Sequence, residues 1–459
     1  MSEQMEARRY WRLFWLAALT YAITLFSVQY TGEEAVYTLQ SYEMGYHGQY
    51  AGPVLLGMPY QRPALYNWLI LAFSWLLGWE QVLVAARLVS ALATISSGLV
   101  LAWFVRRVWN DRLRAAFSAM VFISLWDVLG YYGWLAYSDA LFGLCCLVGM
   151  LFAWLAVRER SLAWLTLALL GACAGFMTKA LTSYVFYGVA MLLSLWHLKA
   201  WRFALSPPGW LLHLVALLPP VWWRLHSPAG AGIVKDIGDK LGGLGFLPYL
   251  QQVTTFPLLL LGNLLPLGAL ALWVAWRDRN RNAAWAMDDS VRLAAWITLV
   301  NFLPYWLAPQ SGGRYLLPLY GVAALVVVAP LYASSELRGR AARWVVAAIV
   351  FKTVMAAWAL PFYTHKIRPD IAAIAADVQR ITAGQPLYSN DDAWVGLSVT
   401  AVLDVAIAPR PPLQMAPRDM RDGFILAGTP QPALGQLVKA YKGTYLLCRG
   451  AACAAAPEE

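Results

Sequence analysis

The sequence predicts an all-α polytopic membrane protein that ends in a small α/β domain. Three observations predict it. The 459-residue chain is 60% hydrophobic and only 13% charged, where a soluble domain carries roughly 25% charged residues. Its apolar residues gather into many long runs, and about 20 such residues cross a bilayer as a helix. After Pro361 the composition changes, and no further run of that length follows.

Eleven transmembrane helices are expected, at about 10–29, 81–105, 115–131, 139–157, 161–177, 183–198, 209–225, 253–276, 291–308, 315–333 and 342–361. The first is too long for a signal core and is read as a retained helix with its N-terminus in the cytoplasm. Basic clusters then fall on alternate connections: Arg8, Arg9 and Arg12; Arg106, Arg107, Arg112 and Arg114; Arg158 and Arg160; Lys199 and Arg202; Arg277, Arg279 and Arg281; Arg338, Arg340 and Arg343. The intervening segments carry few, as cytoplasmic retention of positive charge requires. This distribution also disposes of a nucleic-acid partner, because the net charge of +10 is spread over short clusters and makes no single basic face. The apolar stretch 65–78 is too short to span easily and, with Trp68, Trp75 and Trp79, reads as an interfacial or re-entrant helix.

An odd number of spans puts residues 362–459 outside the cytoplasm. Strands are expected at Pro386–Ser389, Gly423–Ala427 and Thr444–Cys448, and helices at Asp370–Ile381 and Ala433–Tyr441. Cys448 and Cys453 lie in this tail, where pairing is possible in an oxidising compartment but is not fixed by the sequence. Cys145, Cys146 and Cys173 sit within apolar runs as packing residues. Two outer segments are long. The first, 30–81, holds Glu33, Glu34, Glu43, His47 and Arg62. The second, 226–252, is glycine-rich and reads as a mobile loop able to cover a site.

Ionisable residues at the expected outer membrane ends are the candidates for chemistry: Glu33, Glu34, Arg62, Asp139, Lys179 and Arg314. Carboxylates and cations on one side suit a site that holds an anion and moves a proton. The plainer alternative is that they pair with one another to hold the bundle together. No second strong ligand stands at a recognisable spacing from His47 or His226, and no phosphate-binding glycine loop is present.

Four motifs give the candidates a context. They are Glu33-Glu34-Ala35-Val36-Tyr37 with Gln61-Arg62-Pro63-Ala64-Leu65-Tyr66-Asn67-Trp68; Tyr137-Ser138-Asp139-Ala140-Leu141-Phe142; Met177-Thr178-Lys179-Ala180; and Gly313-Arg314-Tyr315-Leu316-Leu317-Pro318. In this order they resemble the polyprenyl-phosphate-dependent glycosyltransferases of the GT-C fold, which include protein mannosyltransferases and lipid A aminoarabinose transferases. The resemblance covers residues 1 to about 335.

The resemblance implies an integral membrane glycosyltransferase that moves a sugar from a polyprenyl-phosphate donor, with inversion, to an extracytoplasmic lipid, glycan or protein. In the family's pattern the first acidic residue, Glu33 here, is the general base. Arg62, Lys179, Arg314 and Tyr315 would hold the donor phosphate, and Asp139 would orient the acceptor or hold a cation. Several positions depart from the pattern. Glu33 replaces an aspartate, so either the site is reshaped or Glu34 is the base. Arg62 replaces a lysine, and its planar fork suits a phosphate. Gln61 replaces an acidic residue that ligates a metal in some members, so no metal is expected. Val36 stands where aminoarabinose transferases carry arginine. Two other readings stay open, a lipid-linked sugar flippase and a non-catalytic relative. A flippase should show polar residues near the bilayer midplane and repeated halves, neither of which is legible here.

Overall fold

The computed structural model describes residues 3–60, 62–179, 181–204, 206–226, 246–277, 287–308, 311–382, 384–406 and 411–454. The expected glycine-rich loop falls mostly on 227–245, outside the described residues. Two compact units emerge. One comprises residues 1–23, 90–134 and 138–354; the other comprises 24–89, 135–137 and 355–459.

The first unit is helical. Its helices start and stop where local chemistry directs. Asp111 accepts the backbone N–H of Arg114 to open the helix Arg112–Ile123, and Asp288 does the same with Val291 for Asp289–Leu307. Such caps satisfy backbone donors that a helix leaves unpaired. Ser138–Glu159 is the central helix, buried along most of its length and packed on Leu162–Thr178 and Thr182–Leu198. Small residues allow the close approach: a Cβ on Gly171 would lie 2.9 Å from the Cys145 carbonyl oxygen. At the ends expected to be cytoplasmic, Arg107 grips Glu159 through two hydrogen bonds of 2.8 and 2.9 Å.

Helical segments occupy each of the eleven expected positions. Three of them are broken; residues 115–131 divide into Arg112–Ile123 and a short helical turn at Asp127–Tyr132. Residues 209–225 form two short helices, Pro207–Ala216 and Leu218–His226. Residues 253–276 form Phe246–Asn263 and Leu267–Arg277, bent by 101°. The break holds Pro266, which has no N–H to continue a helix, and the Leu265 carbonyl is taken instead by the Trp126 N–H at 2.9 Å. Among the described residues, four helical stretches are single spans by length and apolarity: Trp79–Trp109, Ser138–Glu159, Gly313–Tyr332 and Ser335–Tyr363. The bent pair makes a fifth, and Leu162–Thr178 and Thr182–Leu198 are shorter apolar helices.

The second unit combines the first outer segment with the tail. The outer segment holds helix α1 (Glu34–His47), a hairpin of β1 (Val54–Leu55) and β2 (Met58–Pro59), and helix α2 (Leu65–Leu77). Gly48, in the left-handed conformation, ends α1. In the tail, α3 (Ile371–Thr382) and α4 (Trp394–Ala406) accompany a sheet of β3 (Leu387–Ser389), β4 (Gly423–Ala427), β5 (Gln436–Tyr441) and β6 (Thr444–Arg449) in the order β3-β4-β6-β5. β3 runs parallel to β4, and β6 is antiparallel to both of its neighbours. All five residues of β4 are buried. Phe424 and Leu426 pack against Ile371, Val378 and Val399 of the helices, while Ile425 and Ala427 join Met420 and Leu447 in a second cluster. A disulfide joins Cys448 to Cys453.

One expectation fails here. Residues 433–441 form no helix: Gln436–Tyr441 is strand β5, paired with β6 across a bulge between Leu437 and Lys439. Alanine, leucine and lysine favour a helix locally, but the open edge of β6 supplies hydrogen-bond partners that override that preference. Helix α4, by contrast, is absent from the sequence-based expectation.

Asp377 ties α3 to β5. It accepts from the Tyr441 hydroxyl and from Arg380, each at 2.6 Å, and Lys439 lies 3.3 Å away. The Tyr441 bond, then the Arg380 bond, hold its carboxyl down at about 2. A group with a lowered folded-state pKa stabilises the fold above its ordinary value and loses that contribution as pH falls through the lowered one. Asp377→Asn is therefore expected to speed amide hydrogen exchange in β5 at pH 7, with the difference from the parent chain shrinking as pH falls from about 4 towards 2.

Candidate functional site

The candidate residues fall into two clusters, one in each unit. In the second unit, Gly32 and Glu33 lead into α1. Gly32 has φ +58°, a conformation that glycine adopts freely. A Cβ there would lie 2.2 Å from the Tyr137 hydroxyl oxygen. That hydroxyl accepts the Glu33 N–H at 2.9 Å and points to the Thr31 carbonyl at 3.4 Å. Glu33 occupies the N-cap position, half-buried, with no side-chain capping bond.

Glu34 is different. It is fully buried, and Arg87 is fully buried beside it. Oε1 accepts from Arg87 Nε at 2.8 Å and from the Ala136 N–H at 2.9 Å. Oε2 accepts from Arg87 Nη2 at 2.6 Å and from the Thr31 N–H at 2.9 Å. The remaining guanidinium donors reach the carbonyls of Val28 at 2.6 Å, Gln29 at 3.1 Å, Thr24 at 3.2 Å and Leu25 at 3.3 Å. Every acceptor position of the carboxylate is used. The Arg87–Glu34 pair thus joins the end of the first membrane helix, the turn before α1 and the 135–137 segment.

Arg62 is placed by aromatic residues. Its Nη1 donates to the Tyr37 hydroxyl at 2.9 Å, and its guanidinium lies over the Tyr60 ring, 5.5 Å from the centroid. Tyr37 packs edge-on against Tyr66, 5.2 Å away, and 6.3 Å from the Tyr137 ring. Further along α1, Glu43 accepts the N–H groups of Leu56 at 2.6 Å and Gly57 at 2.9 Å, fixing the hairpin turn. Burial pushes its carboxyl up to about 7, against the opposing pull of those two bonds.

In the first unit, Asp139 opens the helix Ser138–Glu159 and pairs with Lys179 through Oδ1. Its Oδ2 is buried and makes no hydrogen bond with the described residues. Lys179 Nζ also stands 4.6 Å from the centroid of the Tyr315 ring, and the Arg314 guanidinium lies 5.5 Å from the same ring. Tyr315 therefore gathers two cations, as a ring quadrupole does. Asp127, Asp139 and Arg314 all lie within electrostatic range of Tyr132. Asp127 accepts the Tyr320 hydroxyl at 2.7 Å, which in turn accepts from Asn263 at 2.9 Å.

The structure thus brings Asp139, Lys179, Arg314 and Tyr315 together, and separately Glu33, Glu34 and Arg62. Sequence reasoning misses Arg87, Asp127 and Lys352, although each is an ionisable residue inside an expected span, which is itself a signal. The sequence reading that charges concentrate at one membrane face passes over these three. Lys352 is buried, donates to the Gly130 carbonyl at 3.2 Å and lies 4.6 Å from the Trp134 ring centroid. His47 is exposed against Tyr46, and His226 bonds the Trp222 carbonyl of its own helix. Among the described residues no group of three or more His, Cys, Asp or Glu side chains could hold a metal; Gln61 lies outside them.

The Glu34–Arg87 pair makes a stability prediction. Removing one partner of a buried ion pair leaves the other charge unpaired and costs about 3–5 kcal/mol. Glu34→Ala and Arg87→Ala should each lower stability by about that amount in detergent unfolding. The double variant should lose markedly less than the sum, the signature of a shared contact.

No family model matches the chain. An undecaprenyl phosphate-alpha-4-amino-4-deoxy-L-arabinose arabinosyl transferase of Erwinia tasmaniensis is 28% identical over 408 residues, spanning 81% of this chain and 69% of that protein. Its counterpart in Edwardsiella ictaluri is 25% identical over 438 residues, covering 87% of this chain and 76% of the relative. Among solved structures, ArnT from Cupriavidus metallidurans bound to undecaprenyl phosphate superposes with a TM-score of 0.77 at 14% identity, covering 97% of this chain and 98% of that one. The apo form of the same protein gives 0.69. In fold the chain matches ArnT, the GT-C arrangement of a multi-pass membrane protein, and in sequence it is similar to the undecaprenyl-phosphate aminoarabinose transferases.

Proposed function

We propose that the chain transfers a sugar from a polyprenyl-phosphate carrier to an extracytoplasmic acceptor at the inner membrane, with inversion at the anomeric carbon. The relatives' names and their undecaprenyl-phosphate donor support the reaction class. The N-terminus is cytoplasmic and residues 362–459 form an extracytoplasmic domain, a reading supported by the alternation of basic clusters.

Glu33 is the general base. The acceptor hydroxyl attacks the anomeric carbon as its proton passes to the Glu33 carboxylate. The bond from that carbon to the phosphate oxygen breaks, and the polyprenyl phosphate leaves with the electron pair. The observation that carries the assignment is the saturation of Glu34: with both of its oxygens doubly engaged, Glu34 has no acceptor position left to take a proton from a hydroxyl. Arg62 stabilises charge on the departing phosphate, held in place by Tyr37 and Tyr60. Lys179 and Arg314, with Tyr315 between them, make a cationic group within the first unit that suits an anion. The unengaged oxygen of Asp139 orients a hydroxyl or holds a cation.

The test is a transfer assay with the full chain in lipid, supplied with labelled polyprenyl-phosphate sugars and an envelope extract. A positioned base contributes roughly 100- to 10,000-fold. Glu33→Gln should therefore lose at least about 100-fold in turnover while binding undecaprenyl phosphate as before. Retained turnover in that variant would sink the assignment of the base.

Gly32→Ala offers an independent check. The added methyl must displace the Tyr137 hydroxyl, and the backbone is strained as well. Turnover should fall by about tenfold or more through misplacement of Glu33, with undecaprenyl-phosphate affinity little changed. Equal losses in turnover and in donor affinity would show that the turn serves the donor instead.

A further inference from the structure

A cleft of 290 Å³ lies wholly within the second unit, between the β1–β2 hairpin and the tail. Its floor is apolar. Leu56 and Leu397 belong to the cluster of Tyr30, Ala35, Val36 and Leu39 that also seats the first turn of α1, next to Glu33. Met58 and Met415 stand exposed on opposite walls. Tyr60 closes one end, and the same ring lies under the Arg62 guanidinium. Asn390 and Asp392 supply the polar edge. Asp392 is exposed and has no ion-pair partner among the described residues.

The walls are fixed independently of any ligand. Glu43 holds the hairpin turn through Leu56 and Gly57. Asp404, buried in α4, accepts the Leu413 N–H at 2.9 Å, and Asn390 accepts the Ala416 N–H at 2.8 Å. The Met415 N–H crosses to the Leu56 carbonyl at 3.2 Å, tying the two walls together. A cleft held from both sides in this way is preorganised for binding.

Its chemistry selects the occupant. A single uncompensated carboxylate repels a phosphate and suits hydroxyl donors. Aliphatic and aromatic walls take the C–H face of a sugar ring, and mixed linings with few polar groups are usual for small-molecule sites. The end at Tyr60 points to a ligand that continues towards Arg62. We propose that this cleft is the acceptor subsite and that it takes a neutral saccharide ring of the acceptor. This rests on the transferase reading above.

Two measurements test it on the full chain in lipid nanodiscs. In saturation-transfer NMR with maltose as a neutral disaccharide probe, the parent chain should transfer saturation to the ring protons. Met415→Trp fills the cleft from an exposed position and should abolish the signal; Asp392→Ala should weaken it. Decanoate, an alkyl-chain probe, should not displace the sugar. In the transfer assay, Met415→Trp should raise the acceptor KM by about fivefold or more, with undecaprenyl-phosphate affinity within about twofold. A maltose signal that is absent, that survives Met415→Trp or that yields to decanoate overturns the saccharide assignment. An unchanged acceptor KM in an active Met415→Trp chain overturns the cleft as the acceptor subsite and leaves the transferase reading intact. A maltose signal abolished by Met415→Trp, together with no transfer by the parent chain from any donor, overturns the transferase reading and leaves a saccharide cleft.

Discussion

The buried pairing of Arg87 with Glu34 is the constraint on which the arrangement around Glu33 depends. A guanidinium and a carboxylate, both removed from solvent, are tolerable only when their remaining donors and acceptors are met. Here they are met by backbone. Carbonyls of residues 24, 25, 28 and 29 surround the arginine, and the N–H groups of residues 31 and 136 complete the glutamate. Three separate stretches of chain are thereby fixed by two side chains. A helix end, a turn and a short segment distant in sequence all answer to the same pair, so the residues adjoining them inherit that rigidity.

The two cationic clusters are built differently. Arg62 is oriented by a phenol and a ring face, which leaves a planar fork presented in a defined direction. Lys179 is neutralised in part by Asp139 and shares the Tyr315 ring with Arg314. A lysine held by both a carboxylate and a ring keeps a point charge without a directional fork. The first arrangement favours recognition of shape, the second the accommodation of charge. Both lean on tyrosines, which combine a large apolar face with a polar tip at low entropic cost.

Much of this is legible in the sequence, and the failures have physical causes. The strand Gly423–Ala427 is expected with its observed limits because five apolar residues bounded by turns have few alternatives. The segment 433–441 misleads because its composition favours a helix, whereas its structure is decided by β6, a partner that no local pattern reveals. Glu34 looks equivalent to Glu33, since two adjacent carboxylates carry no mark of which one turns inward. The discriminating residue is Arg87, 53 positions away. It escapes notice because an arginine near the end of an apolar run resembles a snorkelling residue. Gly32 is visible as a glycine, but its need for a positive φ becomes apparent only once Tyr137 stands against it.

With Gly32 wedged against Tyr137 and Glu34 locked to Arg87, the main chain at residue 33 has no slack. Side-chain length then works as a ruler. A glutamate on this anchor reaches about 1.5 Å farther than an aspartate would, the length of one carbon–carbon bond, and the backbone cannot retreat to cancel the difference. The extra reach must be taken up by whatever meets the carboxylate. On the role proposed for Glu33, a fitting acceptor presents its hydroxyl one bond farther from the anchor than an aspartate there would require. The rigidity of two neighbouring residues turns a single methylene into a rule about which molecules fit.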